Sequence, residues 1–342
     1  MKSFILTMKS FHSIVLIMEL GMGADINAIA KRCGVSKATV SRVFTNRARV
    51  SEPVRESILR MARELNYTPK RVIAREVIAI VVDSIDKTEE FDGFHSMLLV
   101  ALVAEITRSD FLVNIIEARN ADMLVGGYAK VAVSLLNDNQ FDCWKDKMSG
   151  IKIPILSINN DPIQGGHVIA TDYRDEMRMA VEHLVERGHR RIALFLDNET
   201  VLAGRERLTG YCEVMKGLGL EPLPHYSVYP EGRPMIELIA TMQRTKPSAA
   251  IFCGESLPAE TAYALNLLNV KVPADLSVIS FERRDISRWF SPPHTTIDQD
   301  IKNMVNESIK LILKIIKEQY TEPVIRKLKS KLIIRDSVKK IK

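Results

Sequence analysis

From about residue 25 to 68, apolar side chains recur at helical spacing in three short runs separated by polar turns. Ile26, Ile29 and Ala30 follow Asp25, a good N-cap, and Gly34 breaks the run. Ser36 opens a second helix whose apolar side is Val40, Val43 and Phe44. Ser51 opens a third, with Pro53 in its first turn and Val54, Ile58, Met61 and Leu65 inward. Three helices in so short a stretch predict a small all-α unit, ended near Pro69.

Beyond "KRVIARE" the texture changes. "VIAIVVD" is a continuous apolar run closed by Asp83, the pattern of a strand buried on both faces in a parallel sheet. Strand and helix patterns then alternate. The strands are "FLVNIIE", "VAVSLLN", "IPILSIN", "RIALFLD", a short one near "HYSVY", "AAIFC" and "LSVISF". The helices are "FDGFHSMLLVALVAEITRS", one near 140–148, "EMRMAVEHLVERG", "RERLTGYCEVMKGLG", "MIELIATMQRT", "AETAYALNLLN" and the long amphipathic "IKNMVNESIKLILKIIKEQY". This alternation predicts parallel sheets flanked by helices. The fold class is therefore an all-α three-helix headpiece followed by a two-lobed α/β domain, with a ligand cleft at the carboxyl ends of the strands. The last helix is apolar on one face without a sustained heptad, which predicts lobe packing and not a tetramerising coil.

Charge sharpens this division. The net charge is +6 over 342 residues, but residues 24–76 carry 12 Lys/Arg against 5 Asp/Glu, residues 77–325 carry 26 against 35, and residues 326–342 carry 8 against 1. A small basic module on an acidic body is the electrostatic footprint of nucleic-acid binding. A solvated charged face describes the basic end better. The four cysteines, Cys33, Cys143, Cys212 and Cys253, are scattered without CxxC or neighbouring histidines, which argues against a zinc site or disulfide framework and for a reducing cytoplasm. No HExxH or comparable spacing occurs, so no metal or cofactor is expected. The apolar core of "FHSIVLIMELGMG" is too short to span a bilayer, and no membrane partner is expected. Residues 1–23 read as a dispensable extension, with Met22 an alternative start.

"INAIAKRCGVSKATVSRVF" supplies the parts of a helix-turn-helix: small Ala30 and Cys33 for close packing, Gly34 for the turn, and Val35 and Val40 for the core. Lys37 and Ala38 open the second helix, and Arg42 lies one turn further on the same side. Lysine or arginine can pair with guanine in the major groove, and Ala38 can approach a thymine methyl. Ser36, Thr39, Ser41 and the amides at the helix start suit phosphates. Thr45, Asn46 and Arg71 complete the DNA-binding candidates. A three-helix unit can bind protein instead, but its charge favours DNA.

"GVSKATVSRVF" and "VSEPVRESILRMARELNYTPKR" resemble the DNA-binding headpiece of the LacI/GalR transcriptional regulators. The resemblance continues through "IPILSIN", "HLVERGHRRIALF", "RLTGY", "KPSAAIFC", "VPADLSVISFE", "SPPHTTIDQD" and "LIIRDS", covering residues 25 to about 337. It implies a headpiece at 24–68, a short hinge at 69–76, a two-lobed periplasmic-binding-protein-like domain for effector binding and dimerisation at 77–337, and a basic tail at 338–342. It also implies a cytoplasmic, nucleoid-associated repressor, homodimeric or tetrameric, on a near-palindromic double-stranded operator. A sugar-like small molecule between the lobes would modulate operator affinity. Lys37 and Ala38 match the family's variable base-reading pair, and Arg42 its invariant-type arginine.

The chain departs from the family pattern in several places. Its linker is about six residues short of the family's, with little room for the hinge helix that inserts a leucine into the minor groove. Arg207 matches an effector contact, Glu282 the family's acidic residue, Asn159 an aspartate and Gly254 the asparagine of an Asn-Asp pair. Phe94 and Trp289 are candidate aromatic faces, for which core packing is the plainer reading. Part of the family's second body helix is missing between 84 and 150, and Asp172 is followed by Tyr173 where the family has asparagine. These changes leave open a regulator whose small-molecule site is lost or altered, acting constitutively or through a protein partner. An enzyme is not expected: GxGxxG after a strand, GxxxxGK[ST], GxSxG and paired catalytic carboxylates are all lacking.

Overall fold

A computed structural model describes residues 26–45, 50–65, 67, 76–83, 93–136, 141–227, 234–254, 257–281, 286–317 and 322–341. The chain divides into two compact units, Met1–Arg75 and Glu76–Lys342.

The first unit is three helices, α1 (Ile26–Cys33), α2 (Lys37–Thr45) and α3 (Glu52–Glu64). Ile29, Ala30, Val40, Val43, Ile58 and Ala62 form its core, as the apolar spacing predicts. Gly34 ends α1 with φ +64, while Val35 N–H donates to the Ala30 carbonyl at 3.0 Å. No atom lies within 4 Å of where its Cβ would be, so backbone conformation and not crowding calls for glycine there. Ser36 caps α2: its hydroxyl accepts the Thr39 amide at 3.0 Å. One expectation needs correction. Ser51 stands at the N-cap of α3, with Pro53 in the first turn, but its side chain makes no capping bond. Cys33 packs toward α3, its sulfur 3.8 Å from the Ser57 carbonyl oxygen. Asp25 lies outside the described residues.

The second unit holds two six-stranded sheets. Lobe one uses β1 (Val77–Val82), β2 (Leu112–Glu117), β3 (Ala129–Leu135), β4 (Ile155–Ile158), β5 (His167–Thr171) and, from far along the chain, β11 (Ile325–Leu328). Their order is β11-β5-β4-β3-β1-β2 and every pairing is parallel. Helices α4 (Gly93–Arg108) and α10 (Ile301–Ile316) cover one face, bringing Leu98, Leu102, Met304, Leu311 and Ile312 against Ile80, Val133 and Leu156. A 3-10 segment, Ala118–Gly126, and α5 (Phe141–Met148) cover the other.

Lobe two orders β6 (Ile192–Leu196), β7 (Tyr226–Ser227), β8 (Ala249–Cys253), β9 (Ser277–Phe281), β10 (Thr295–Asp298) and β12 (Lys331–Ile333) as β12-β10-β9-β8-β6-β7. Only β12 is antiparallel. Helices α6 (Tyr173–Glu186) and α7 (Leu202–Gly217) pack on one face, and α8 (Pro234–Thr245) and α9 (Leu257–Leu267) belong to the other. The two lobes exchange the chain three times: from β5 to α6, from β10 to α10, and from β11 to β12.

Residues 338–341 do not form a separate tail. Val338 is buried in the lobe-two core, and Ile341 N–H donates to the Arg187 carbonyl at 2.8 Å. Among the described residues no helix is long and apolar enough to cross a membrane.

Candidate functional site

The headpiece presents one polar face. Val40 and Val43 turn α2 inward, so Lys37, Ala38, Ser41 and Arg42, related by three- and four-residue steps, share the opposite side and are exposed. Ser36 is also exposed, and its hydroxyl lies 2.9 Å from that of Thr39, which holds the cap pair together at the start of the helix. A capped helix start with outward amides and two cations on the same face suits a polyanion. The side chain of Thr45, and the whole of Asn46 and Arg71, lie outside the described residues, as does the linker expected at 69–76 apart from Glu76.

In the body, strand order reverses beside the first strand of each lobe, between β1 and β3 and between β6 and β8. Ligands of open parallel sheets sit outside the carboxyl ends at such points. Asp83 follows β1 there and Asp197 follows β6. Gly254 follows β8, and a Cβ on it would stand 2.6 Å from the Asp197 Cβ, so its backbone lies flush against that carboxylate's stem.

Arg207 projects from α7 into a buried setting. Its side chain is 7% exposed and that of Glu176, on the first turn of α6, is fully buried. Arg207 Nε donates to Glu176 Oε2 at 3.1 Å. The guanidinium carbon lies 4.3 Å from the Phe281 ring centroid and 5.0 Å from that of Tyr173, a cation held against two aromatic rings. Burial by itself would lower the arginine pKa. Glu176, with Asp197 adding to it, reverses this and holds Arg207 above the ordinary arginine value. The other oxygen of Glu176, Oε1, accepts from Gln299 Nε2 at 2.8 Å and from Ser330 Oγ at 2.7 Å. Burial raises the Cys253 thiol well above its usual range, so it remains protonated and unsuited to nucleophilic chemistry.

The remaining candidates lie in unlike settings. Asn159, at φ +57 after β4, uses its side-chain oxygen to accept the Thr171 amide at 2.8 Å, tying β4 to the end of β5. Phe94 is 5% exposed and belongs to the lobe-one core, the packing role that was its plainer reading. Trp289 is 73% exposed, with the Arg288 guanidinium 4.9 Å from its ring. Its ring covers no buried site in the described chain. Glu282 lies outside the described residues. Sequence reasoning missed Glu176, Tyr173, Phe281, Gln299 and Ser330. The signal for Glu176 was available: it falls on the apolar stripe of α6, four residues before Ala180 and on the side of Met177 and Leu184.

A family model described as bacterial regulatory proteins of the lacI family matches residues 25–70, and one for a periplasmic binding protein-like domain matches 181–338. The chain belongs to the LacI family. Among its relatives, the HTH-type transcriptional regulator CelR of Thermobifida fusca is 25% identical over 94% of this chain and all of CelR. The HTH-type transcriptional repressor CytR of Escherichia coli K12 is 26% identical over 92% of this chain and 96% of CytR. The structure of a lac repressor dimer bound to operator and the anti-inducer ONPF superposes with a TM-score of 0.72 at 21% identity, covering 93% of this chain and 99% of the repressor. That likeness shows a shared fold. As a LacI-family regulator, the chain joins a helix-turn-helix headpiece to a two-lobed parallel α/β body. The headpiece match coincides with the basic three-helix unit.

Proposed function

We propose that this regulator represses transcription as a homodimer, reading a near-palindromic operator with α2 of each headpiece while a small molecule at the carboxyl ends of the body's strands modulates affinity. The observation that carries the DNA reading is the exposed face of Lys37, Ala38, Ser41 and Arg42 on a helix whose start is capped by Ser36. Lys37 and Ala38 read bases, Arg42 adds a bidentate guanine contact, and Ser36, Thr39 and Ser41 with the helix-start amides hold phosphates. Thr45, Asn46 and Arg71 extend the contact along the backbone. No bond is made or broken in this reading, so the protein acts as a cytoplasmic switch and not as an enzyme. Its relatives CelR and CytR are regulators by name, which supports that view.

The effector reading rests on Arg207, held at the carboxyl side of lobe two between Phe281 and Tyr173, with Gly254 and Glu282 as its companions in the family pattern. A sugar-like ligand suits a site of donors and acceptors beside aromatic rings. One observation favours a second reading: Arg207 Nε is already committed to Glu176, so the regulator acts without a small molecule or with a protein partner.

Two measurements test these readings. Duplexes selected by the full-length protein from a random pool should converge on a two-fold-related sequence, and the selected affinity should fall by about a thousandfold from 50 to 200 mM salt for roughly six phosphate contacts. Selection without convergence would remove the operator reading. A thermal-shift screen of sugars, nucleosides and phosphorylated metabolites separates the effector readings: a stabilising ligand supports the first, and none supports the second.

A further inference from the structure

The three interlobe passages each bring one element to the same buried carboxylate. The first passage leads through Asp172, whose Oδ1 caps α6 by accepting the Asp175 amide, and one turn later presents Glu176 itself. The second carries Gln299 and the third Ser330, both donating to Glu176 Oε1. Arg207 takes Oε2. A fully buried carboxylate keeps its partners, because losing one leaves an under-solvated charge in a low-dielectric interior. Changing the shape of any one passage therefore disturbs donors on the others.

We propose that Glu176 is a positioning residue that locks the three interlobe passages to one another and to Arg207, so that a group acting on the guanidinium acts on the hinge. This rests on reading the strand ends near Arg207 as the effector site, but the lock itself is a property of the protein without ligand. The mechanism needs no proton or electron transfer. A polar ligand group accepting from the terminal nitrogens of Arg207 would draw Nε from Oε2, and the carboxylate would readjust against Gln299 and Ser330. Both passages lie within a residue or two of a lobe boundary, where small backbone rotations become relative lobe motion.

The test is amide hydrogen exchange on the full-length protein without ligand, read at 298–301 and 328–331. A second link between these passages, the Asp300–Lys331 ion pair at 2.8 Å, is removed by working in a Lys331→Gln background. There, Ser330→Ala should raise exchange at 298–301, a passage it reaches through Glu176, by about fivefold or more. Adding Glu176→Gln should raise both passages, after which Ser330→Ala should add less than about twofold at 298–301, the non-additivity of one shared partner. If Ser330→Ala accelerates only its own passage, or adds equally with and without Glu176→Gln, the lock is refuted. If Glu176→Gln does not fold, Gln299→Ala read at 328–331 gives the same decision. Failure to find any effector would count against the effector reading and leave this result standing.

Discussion

Replacing Arg207 by alanine takes away the cation facing Glu176 while leaving that carboxylate fully buried, held only by Gln299 and Ser330. Breaking a buried pair from one side costs about 3–5 kcal/mol, since one charge is stranded. Both partners are almost entirely out of solvent, so this figure needs no discount for screening, and the lost stacking on Phe281 and Tyr173 acts in the same direction. The body, Glu76–Lys342, has 267 residues, and an unfolding entropy of about 2.1 cal/mol/K per residue turns this cost into a fall of roughly 5–9 °C in Tm. Arg207→Lys keeps a charge but loses the planar fork and should fall between. Glu176→Gln with Arg207→Met removes both charges and should recover most of the loss, giving a favourable coupling of about 2–4 kcal/mol in a double-mutant cycle. Calorimetric or far-UV circular dichroism unfolding of Arg207→Ala, Arg207→Lys and the four proteins of the Glu176→Gln/Arg207→Met cycle measures it. A drop below about 2 °C for Arg207→Ala, or additive single effects, would refute a buried, coupled pair. The result bears directly on ligand screens: loss of ligand response in Arg207→Ala would mix lost contact with lost stability, so Arg207→Lys is the better probe.

Other consequences follow from the same geometry. Arg42→Ala should cost about 1–3 kcal/mol at one operator base pair and relax choice there, whereas Ser41→Ala should weaken all duplexes alike, in fluorescence-anisotropy titrations on matched and mismatched sites. Unchanged sequence choice in Arg42→Ala would remove the base-reading assignment. His294, buried and near Arg335, has its pKa lowered to about 4, so the unfolded chain binds the extra proton first as pH falls below its ordinary value. Stability should therefore be full above about pH 6.5 and fall by about 2 kcal/mol by pH 5, a loss that His294→Gln should reduce in urea titrations. Burial lowers His167, His183 and His189 as well, and adds to the same trend. Gly210→Ala would place a Cβ 2.9 Å from the Arg174 Cα, forcing α6 and α7 apart at a cost of about 1–3 kcal/mol in denaturant unfolding.

The headpiece and the central strands were legible because each buries a full apolar face locally. Ile29, Val40 and Ile58 fall at helical spacing, and "VIAIVV" and "AAIFC" are continuous because both faces of their sheets are covered. Four strands were not read. β5 follows two glycines and begins with His167, so its apolar run is short. β10 is half threonine, and β11 and β12 are short and carry Arg326, Lys327 and Lys331 because they add to sheet edges and take their hydrogen bonds from strands laid down earlier. The site divides the same way. Lys37, Ala38 and Arg42 could be placed because a helix face follows from local spacing. Gln299 and Ser330 could not, because they meet Glu176 only when segments more than a hundred residues apart converge. Glu176 itself resembled a dipole-favouring acid on the first turn of a helix, the ordinary surface role for glutamate there.

The basic C-terminal end is best understood through its partners. Arg326 pairs with Glu307, Lys331 with Asp300, and Arg335 donates to the His294 carbonyl and to Thr296 Oγ1. Its cations thus offset acids and carbonyls of the body, and the surplus of Lys/Arg after residue 325 belongs to the same electrostatic unit as the acidic stretch before it. Taken together, residues 77–342 carry 34 Lys/Arg against 36 Asp/Glu, close to neutral, while residues 24–76 keep their excess of cations. Counterion release scales with the phosphates a surface neutralises, so non-specific affinity for DNA comes from the headpiece, and the body contributes little of its own. Such a division suits a two-unit regulator. If long-range attraction were spread over the whole chain, reorienting the body would change encounter with any DNA. Confined to the headpiece, it stays with the unit that carries the exposed face of α2.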